Sequence, residues 1–274
     1  MATDELFDIT GKVAAITGGA GVLCSTMAEA LAKRGVKVAI MDIREEAAET
    51  VAAKIRAQGG DAIAVQADVL NKASVEAAAQ KIMAKYGRVD ILINGAGGNS
   101  PRATTSPETS FFDLPIEGVR WVFELNFLGT FICSQVFGKI MADQGEGNIV
   151  NISSMTAIRP LTKVPAYGSA KAAVSGFTQW LAVHLSQNCS TKIRVNAIAP
   201  GFFLTEQNRF LLTQEADGSL TPRGKAIIQH TPMGRFGEPE DLISTLLWLL
   251  APSSDFVHGI VVPVDGGFSA FGGV

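Results

Sequence analysis

Short apolar runs alternate with longer segments of helical period along nearly the whole chain, and this alternation restricts the fold more than any other feature. The runs are rich in β-branched residues and mostly lack interior charge, which is typical of strands buried on both faces of a parallel sheet. Strands joined through helices form βαβ crossovers and a doubly wound sheet. Seven strands are predicted, at Val13–Thr17, Val36–Met41, Ala62–Gln66, Val89–Asn94, Asn148–Ile152, Ile193–Ala199 and Ile260–Val264.

The segments between these runs carry apolar residues at helical spacing. One such stripe consists of Val75, Ala79, Ile82 and Tyr86. Another, near the C-terminus, consists of Ile243, Leu246, Leu247 and Leu250. The 274 residues show no internal repeat and no low-complexity linker, so an α/β fold with one domain over residues 1–274 is expected.

Composition and charge exclude several classes of protein. Hydrophobic residues make up 47% of the chain, enough for a sizeable core, and the net charge of −3 without a long Lys/Arg run argues against a nucleic-acid partner. Acidic residues near the N-terminus, and the lack of an apolar run approaching membrane-spanning length, argue against a signal peptide or membrane partner. The three cysteines are far apart and lack CxxC spacing, which disfavours disulfides and a metal site. We therefore expect a cytoplasmic protein.

Two segments interrupt the alternation, near residues 99–118 and 203–237. Both follow predicted strands, at the carboxyl edge of the sheet, where ligands bind in open α/β folds. They are either surface excursions or segments that cover a substrate.

A glycine-rich turn follows the first predicted strand and opens a helix. Small residues there let the backbone approach a pyrophosphate at the positive end of the helix, although such turns also occur simply to reverse the chain. The candidate phosphate contacts are Gly18, Gly21, Val22 and Leu23.

Acidic residues end or follow the next two strands. Asp42 can accept both ribose hydroxyls of an adenosine and would repel a 2′-phosphate, which favours NAD over NADP. Arg44 is the reason for caution, unless it is a solvated first-turn residue. Asp68 could bond the adenine or cap the following helix. A second close backbone approach is predicted where the fourth strand ends, at Asn94, Gly95 and Ala96.

Tyr167 and Lys171 are four residues apart at the start of an apolar helix, so both lie on one helix face. A phenol titrates near 10, and an adjacent ammonium favours the phenolate; a lowering of about three units requires roughly 4 kcal/mol. The sequence therefore predicts a phenol of lowered pKa that exchanges protons near neutrality.

Two further polar residues accompany this pair. Ser154, near the end of the fifth strand, could donate to a carbonyl oxygen as charge develops on it. Asn126 lies in an otherwise apolar helical stretch and could hold a water that connects Lys171 to solvent. Taken singly, each has an ordinary alternative as a helix pair, a cap or a core amide. Their joint order along the chain favours an active site.

Taken together, these residues resemble the short-chain dehydrogenase/reductase family over essentially the whole chain. The Pro200-Gly201 turn with Thr205, and the Asp265-Gly266-Gly267 turn, match the family as well. The resemblance implies a Rossmann fold of seven parallel strands and a nicotinamide cofactor. It also implies tetramers built on the helices that contain Asn126 and Tyr167 and on the C-terminal segment. The catalytic group implied is Asn126, Ser154, Tyr167 and Lys171. Tyr167 and Lys171 are also implied as cofactor contacts, with Lys171 bonding the ribose, and the further cofactor contacts implied are Val69, Pro200, Gly201, Phe203 and Thr205.

One departure from the family lies in the first turn, where Val22 and Cys24 stand at positions that usually hold glycine. The pyrophosphate could be held differently as a result. Cys24 at a helix N-terminus could have a lowered thiol pKa, or could simply be a small residue that allows close packing.

Four more particular strings lie at Asn94–Asn99, Ser154–Lys163, Phe202–Asn208 and His230–Phe236. Together they resemble the D-mannonate oxidoreductase (fructuronate reductase) branch of the family, whose members interconvert the ketone of D-fructuronate and the alcohol of D-mannonate. A sugar acid needs a cation for its carboxylate and polar groups for its hydroxyls. Alternatives are a reductase of another polyol, keto acid or acyl substrate, resembling gluconate 5-dehydrogenase or 3-oxoacyl reductase, and a non-catalytic nucleotide-binding protein. The candidate substrate residues are Asn99, Arg159, Lys163, Gln207 and Asn208.

Overall fold

The computed structural model describes residues 5–204, 209, 212–214 and 218–273. Within them, seven parallel strands form one sheet in the order β3-β2-β1-β4-β5-β6-β7. All seven predicted strands are confirmed: two match at both ends, and the other five differ by one or two residues at one or both ends. The strands are β1 (Val13–Thr17), β2 (Lys37–Asp42), β3 (Ala62–Gln66), β4 (Ile91–Asn94), β5 (Gly147–Ile152), β6 (Ile193–Pro200) and β7 (Val261–Val264).

Helices cover both faces of this sheet. They are α1 (Val22–Ala32), α2 (Glu45–Ala57), α3 (Lys72–Tyr86), α4 (Ile116–Phe123), α5 (Gly129–Gln144), α6 (Pro165–Asn188), α7 (Pro222–His230) and α8 (Ile243–Leu250). Helices α1, α2 and α8 share one hydrophobic cluster with the sheet, and α3, α5 and α6 share the other. The fold is therefore the doubly wound α/β fold that the sequence predicts.

Strand β1 lies between β2 and β4 in the interior of the sheet, and its residues alternate between the two clusters. Ala14 and Ile16 belong to the first cluster, whereas Val13 and Ala15 belong to the second, as the two-residue period of a strand requires. All five residues of β1 are buried. Strand order reverses between β1 and β4, so a crevice is expected beyond their carboxyl ends.

One expectation about membrane-spanning length needs correction. Helices α4 and α5 are joined through a π-helical turn at Glu124–Leu128, and the combined segment Ile116–Gln144 is long and apolar enough to cross a membrane by length and composition. This segment packs against α3 and α6 beside the sheet, as a core helix does.

Candidate active site

A crevice of about 650 Å³ opens beyond the carboxyl ends of β1, β4, β5 and β6. It brings together predicted nucleotide-binding residues and predicted reactive groups, which come from six separate parts of the chain. Its lining includes Gly18, Asp42, Gly95, Ser154, Tyr167 and Lys171.

The turn after β1 lies against the loop after β4, backbone to backbone. Gly18 has a φ of 60°, and a Cβ on it would lie 2.8 Å from the Cα of Ala96. The N–H groups of Gly95 and Ala96 donate to Thr17 Oγ1 at 3.1 and 3.2 Å. The sequence predicts Thr17 only as the last residue of the first strand, because nothing local indicates that its hydroxyl reaches the loop after β4.

Helix α1 begins at Val22 after an extended Gly21, and among the described residues no side chain caps it. The first N–H groups of a helix have no partner within the helix, so this end is suited to an anion. Val22 and Leu23 line the crevice beside it.

Asp42 is 7% exposed at the end of β2, and backbone N–H groups hold its carboxylate. Ala20 N–H donates to it at 3.3 Å, and Arg44 N–H donates at 3.1 Å. The Arg44 side chain is 62% exposed, and its Nε lies 3.4 Å from the same carboxylate. Asp42 therefore lies where the sequence predicts a ribose contact, with Arg44 beside it.

Asp68 and Val69 do not line the crevice. Asp68 accepts the N–H of Leu70 at 2.9 Å, and the N-terminus of α3 is capped instead by Asn71. Val69 packs against Gly129 at the start of α5. The Asp68 side chain thus fixes its own turn and does not cap α3, and its bond to the adenine stays a prediction.

The Asn94 side chain also lies away from the crevice, inside the sheet. Its amide donates to Ser134 Oγ at 3.0 Å and to Asn151 Oδ1 at 2.8 Å. Of the predicted group at the end of β4, Gly95 and Ala96 line the crevice.

Asn126 lies in the π-helical turn and is fully buried. Its amide donates to the carbonyls of Gly98 and Val122 at 2.7 Å each, and its Oδ1 accepts the Gly98 N–H at 3.1 Å. A Cβ on Gly97 would lie 2.6 Å from Asn126 Oδ1 and 3.2 Å from Lys171 Nζ. Gly97 therefore marks the place where Asn126 and Lys171 approach one another.

Lys171 is buried and donates from Nζ to the carbonyl of Ile152 at 2.7 Å, and Nζ lies 5.7 Å from the centre of the Tyr167 ring. Burial lowers the pKa of Lys171 to about 8. Burial also raises the pKa of Tyr167, and a hydrogen bond with Ser154 offsets this in part. The expected lowering of the Tyr167 pKa is therefore wrong for this state of the protein, because desolvation dominates.

Ser154 lies two residues beyond β5 and caps the short 3₁₀ helix Met155–Ala157. Its Oγ accepts the N–H of Thr156 at 3.3 Å. Ser154 also lowers the pKa of the nearby Tyr167 phenol, so two of the four predicted catalytic residues are neighbours.

Arg159 and Lys163 lie between Ser154 and Tyr167 in the chain, but neither lines the crevice. Arg159 is exposed and donates from Nε to the carbonyl of Ser269 at 2.9 Å. Lys163 has a φ of 75°, and its carbonyl accepts the N–H of Thr105 at 2.9 Å. These contacts tie the Arg159 loop to the C-terminal segment and the Lys163 loop to the segment near 99–118.

Asn99 lines the crevice, as do Pro200, Gly201 and Phe203. Three further candidates lie outside the described residues, namely Thr205, Gln207 and Asn208.

The family model described as enoyl-(acyl carrier protein) reductase matches residues 18–269. The chain belongs to the short-chain dehydrogenase/reductase family, whose members are oxidoreductases of alcohol and ketone groups.

Three of its relatives cover nearly the whole chain. An uncharacterised oxidoreductase, UxuB of Bacillus subtilis (strain 168), is 53% identical over 97% of this chain and 98% of its own length. A solved structure of a proposed D-mannonate oxidoreductase of Haemophilus influenzae, with bound NAD, is 47% identical with a TM-score of 0.91, over 97% of this chain and 98% of that one. The 7α-hydroxysteroid dehydrogenase of Escherichia coli (strain K12) is 34% identical over 97% of this chain and 98% of its own length.

Proposed function

We propose that this protein is an NAD(H)-dependent oxidoreductase that interconverts a ketone and a secondary alcohol on a sugar acid, with D-fructuronate and D-mannonate as the pair. The observation that carries the proposal is that Ser154, Tyr167 and Lys171 line one crevice with Gly18 and Asp42. A proton donor and a nucleotide site therefore face the same space.

The residues around the crevice fit a nicotinamide dinucleotide. The uncapped N-terminus of α1 suits the pyrophosphate, and the Gly18 turn leaves no side chain in its way. Asp42 would accept the adenosine ribose hydroxyls. When bound, the nicotinamide gives or takes the hydride of the reaction.

In the direction of reduction, Ser154 and Tyr167 donate hydrogen bonds to the ketone oxygen. Because burial raises the pKa of Tyr167, the phenol holds its proton at neutral pH and can give it to that oxygen. In the reverse direction, the Tyr167 phenolate takes the proton of the alcohol.

Lys171 holds its ammonium beside the phenol while it stays bound to the carbonyl of Ile152. A positive charge there offsets the negative charge that Tyr167 acquires on losing its proton. Asn126 fixes the Gly98 backbone next to Lys171 and so keeps the ammonium in place.

The sugar-acid assignment is supported by the likeness to the H. influenzae protein over 97% of the chain and by the polar Asn99 in the crevice. Arg159 and Lys163 are proposed as carboxylate ligands that approach the substrate when it binds. The Phe202 and Phe203 side chains in the crevice, together with the steroid dehydrogenase relative, favour a steroid as the second candidate.

A substrate panel distinguishes these candidates. The purified protein is given NADH or NADPH with D-fructuronate, 5-keto-D-gluconate, an acetoacetyl thioester or a 7-oxo steroid, and nicotinamide absorbance is followed at 340 nm. We expect D-fructuronate with NADH to give the highest kcat/KM. Faster turnover of the steroid would overturn the sugar-acid assignment, and loss of turnover with every ketone would favour a nucleotide-binding protein without catalysis.

We also propose a cytoplasmic homotetramer. Trp180 and Val183 are exposed on α6, beside Phe131 of α5, and an apolar face of this kind suits burial between subunits. The cysteines among the described residues are all free, which fits a reducing compartment. Light scattering of the purified protein measures the subunit number, and a monomer at micromolar concentration would contradict the tetramer.

A further inference from the structure

Cys24 occupies the space that a side chain at position 95 would take. A Cβ on Gly95 would lie 2.1 Å from Cys24 Sγ, far inside van der Waals contact. Cys24 is the third residue of α1 and is 5% exposed. Side chains in a helix point back toward its N-terminus, so the sulfur lies between the first turn of α1 and the loop after β4.

The two residues complement one another. Beyond the sulfur, the nearest atom of the Cys24 side chain to that same Cβ position is its own Cβ, at 3.7 Å, which is an ordinary contact. Without the sulfur, position 95 would therefore have room for a methyl group on this side. On the other side, the carbonyl of Thr17 would lie 2.9 Å from the added methyl and would have to shift.

The sulfur contacts the part of the crevice where an anion would bind. Helix α1 lacks a side-chain cap, so its first turn is positioned by packing rather than by a capping hydrogen bond. Burial raises the pKa of the Cys24 thiol to about 12, so the side chain is an uncharged spacer at neutral pH. This is the reverse of a thiol activated by a helix N-terminus.

We propose that Cys24 and Gly95 are a matched positioning pair that sets the distance between the first turn of α1 and the loop after β4, and through it the geometry of the pyrophosphate site. The inference rests on the proposed use of NAD. It accounts for the departure from glycine at Cys24: the thiol fills a gap that the absent side chain of Gly95 leaves. Cys24 acts through backbone placement and takes no part in the chemistry.

A double-mutant cycle over Cys24→Ala and Gly95→Ala tests the pair. NADH affinity is measured by fluorescence titration, and the Tm of each apo protein is measured by scanning calorimetry. We expect Gly95→Ala to weaken NADH binding by about tenfold or more, because the methyl must displace the sulfur, and Cys24→Ala to weaken it by about threefold. The double variant should bind NADH at least threefold more tightly than Gly95→Ala alone, because the sulfur that blocks the methyl is gone.

Cys133→Ala is the matched control. Cys133 is also a buried helical thiol whose pKa is raised to about 12 by burial, but it lies in α5 within the other hydrophobic cluster. We expect Cys133→Ala to have a lower Tm than the parent and a Kd for NADH within about twofold of it.

For Cys24→Ala, the KM for NADH should rise while kcat at saturating NADH stays unchanged.

Three outcomes would overturn the pairing. One is a double variant whose loss of NADH affinity is the product of the two single losses. Another is a Cys24→Ala protein that, like the control, changes only its Tm. A third is a Cys24→Ala protein whose kcat at saturating NADH is lower than that of the parent. If the parent protein binds no NADH, the proposed function itself is wrong. The pairing is then tested by the apo Tm values of the parent, the two single variants and the double variant.

Discussion

Buried charged side chains have different partners at the two edges of the sheet. At the amino edge, Asp90 is 4% exposed, and both Arg88 and Lys12 lie within ion-pair distance of it. Asp90 also accepts the N–H of Val13 at 2.9 Å, and Arg88 reaches Glu146 at 2.7 Å. Each charge in this cluster has a partner of opposite sign, so the cluster joins β1, β4 and β5 without leaving a charge for a ligand.

At the carboxyl edge, buried charge faces neutral groups. Lys171 donates to a backbone carbonyl. The Asp42 carboxylate is held mainly by backbone N–H groups, and the exposed Arg44 side chain lies near it. Burying a charge without a buried counterion costs stability, and such groups concentrate where a protein binds and reacts. The comparison indicates that the amino edge stabilises the fold and the carboxyl edge keeps charge available for cofactor and substrate.

The largest effect is expected at the carboxyl edge. Tyr167→Phe removes the proton donor and keeps the ring, so kcat should fall by about 10³-fold or more while the Kd for NADH stays within about twofold. Turnover is followed by nicotinamide absorbance and affinity by fluorescence titration. Turnover close to that of the parent would remove Tyr167 from the acid–base role and with it the functional difference between the two edges.

The opposite result is expected at the amino edge. Asp90→Ala leaves Arg88 and Lys12 without their buried partner and should lower the free energy of unfolding by about 3 kcal/mol, with NADH affinity unchanged. Glu146→Ala removes a partner that is 45% exposed and should cost less than about 1 kcal/mol. Urea unfolding of the apo proteins gives both values. Equal losses of unfolding free energy for the two variants would mean that the burial of Asp90 does not determine its contribution to stability.

Much of the fold could be predicted because its signals are local. An apolar run such as Val13–Thr17 identifies a buried strand from its own residues, and the spacing of Tyr167 and Lys171 places both on one helix face. The order of such elements then brings the reactive residues to one edge of the sheet. These features depend on nearby residues and on rules of chain topology.

What could not be predicted depends on partners distant in sequence. Arg159 is held by the carbonyl of Ser269, and the amide of Asn94 by the distant Asn151, and no local pattern indicates either contact. The predicted lowering of the Tyr167 pKa is also wrong, because the direction of the shift depends on how deeply the phenol is buried. The extent of burial is set by the assembled fold rather than by the four-residue spacing to Lys171.

A smaller effect is expected at Lys171, where one substitution should abolish activity and yet raise the stability of the protein. Burial lowers its pKa from 10.5 to about 8, which corresponds to about 3 kcal/mol of destabilisation while the group is charged. Lys171→Met removes this cost but loses the hydrogen bond to Ile152, so the variant should be inactive yet about 1 to 2 kcal/mol more stable at pH 7.

The pH dependence of this gain has a definite sign. Between pH 8 and 10.5 the unfolded chain binds the Lys171 proton more strongly than the folded protein does, so the parent gains stability as pH rises. The advantage of Lys171→Met should therefore shrink above pH 8. Calorimetry from pH 6.5 to 9.5 tests this, and a variant less stable than the parent throughout would show that the bond to Ile152 outweighs the desolvation of the ammonium.

The smallest effect concerns Asp42, the other buried charge at this edge. Asp42→Asn removes the charge that would repel a 2′-phosphate. The N–H groups of Ala20 and Arg44 bond different carboxylate oxygens, so the single amide oxygen keeps only one of these two hydrogen bonds. We expect the Kd for NADPH to fall by roughly tenfold, and the Kd for NADH to rise by only a few fold. Arg44→Gln is the matched variant, and it should weaken NADPH binding because the exposed guanidinium is the cation nearest to Asp42. If Asp42→Asn leaves both affinities unchanged, the Asp42 charge stabilises the turns at Ala20 and Arg44 and does not select the cofactor. The carboxyl edge would then resemble the amino edge at this position.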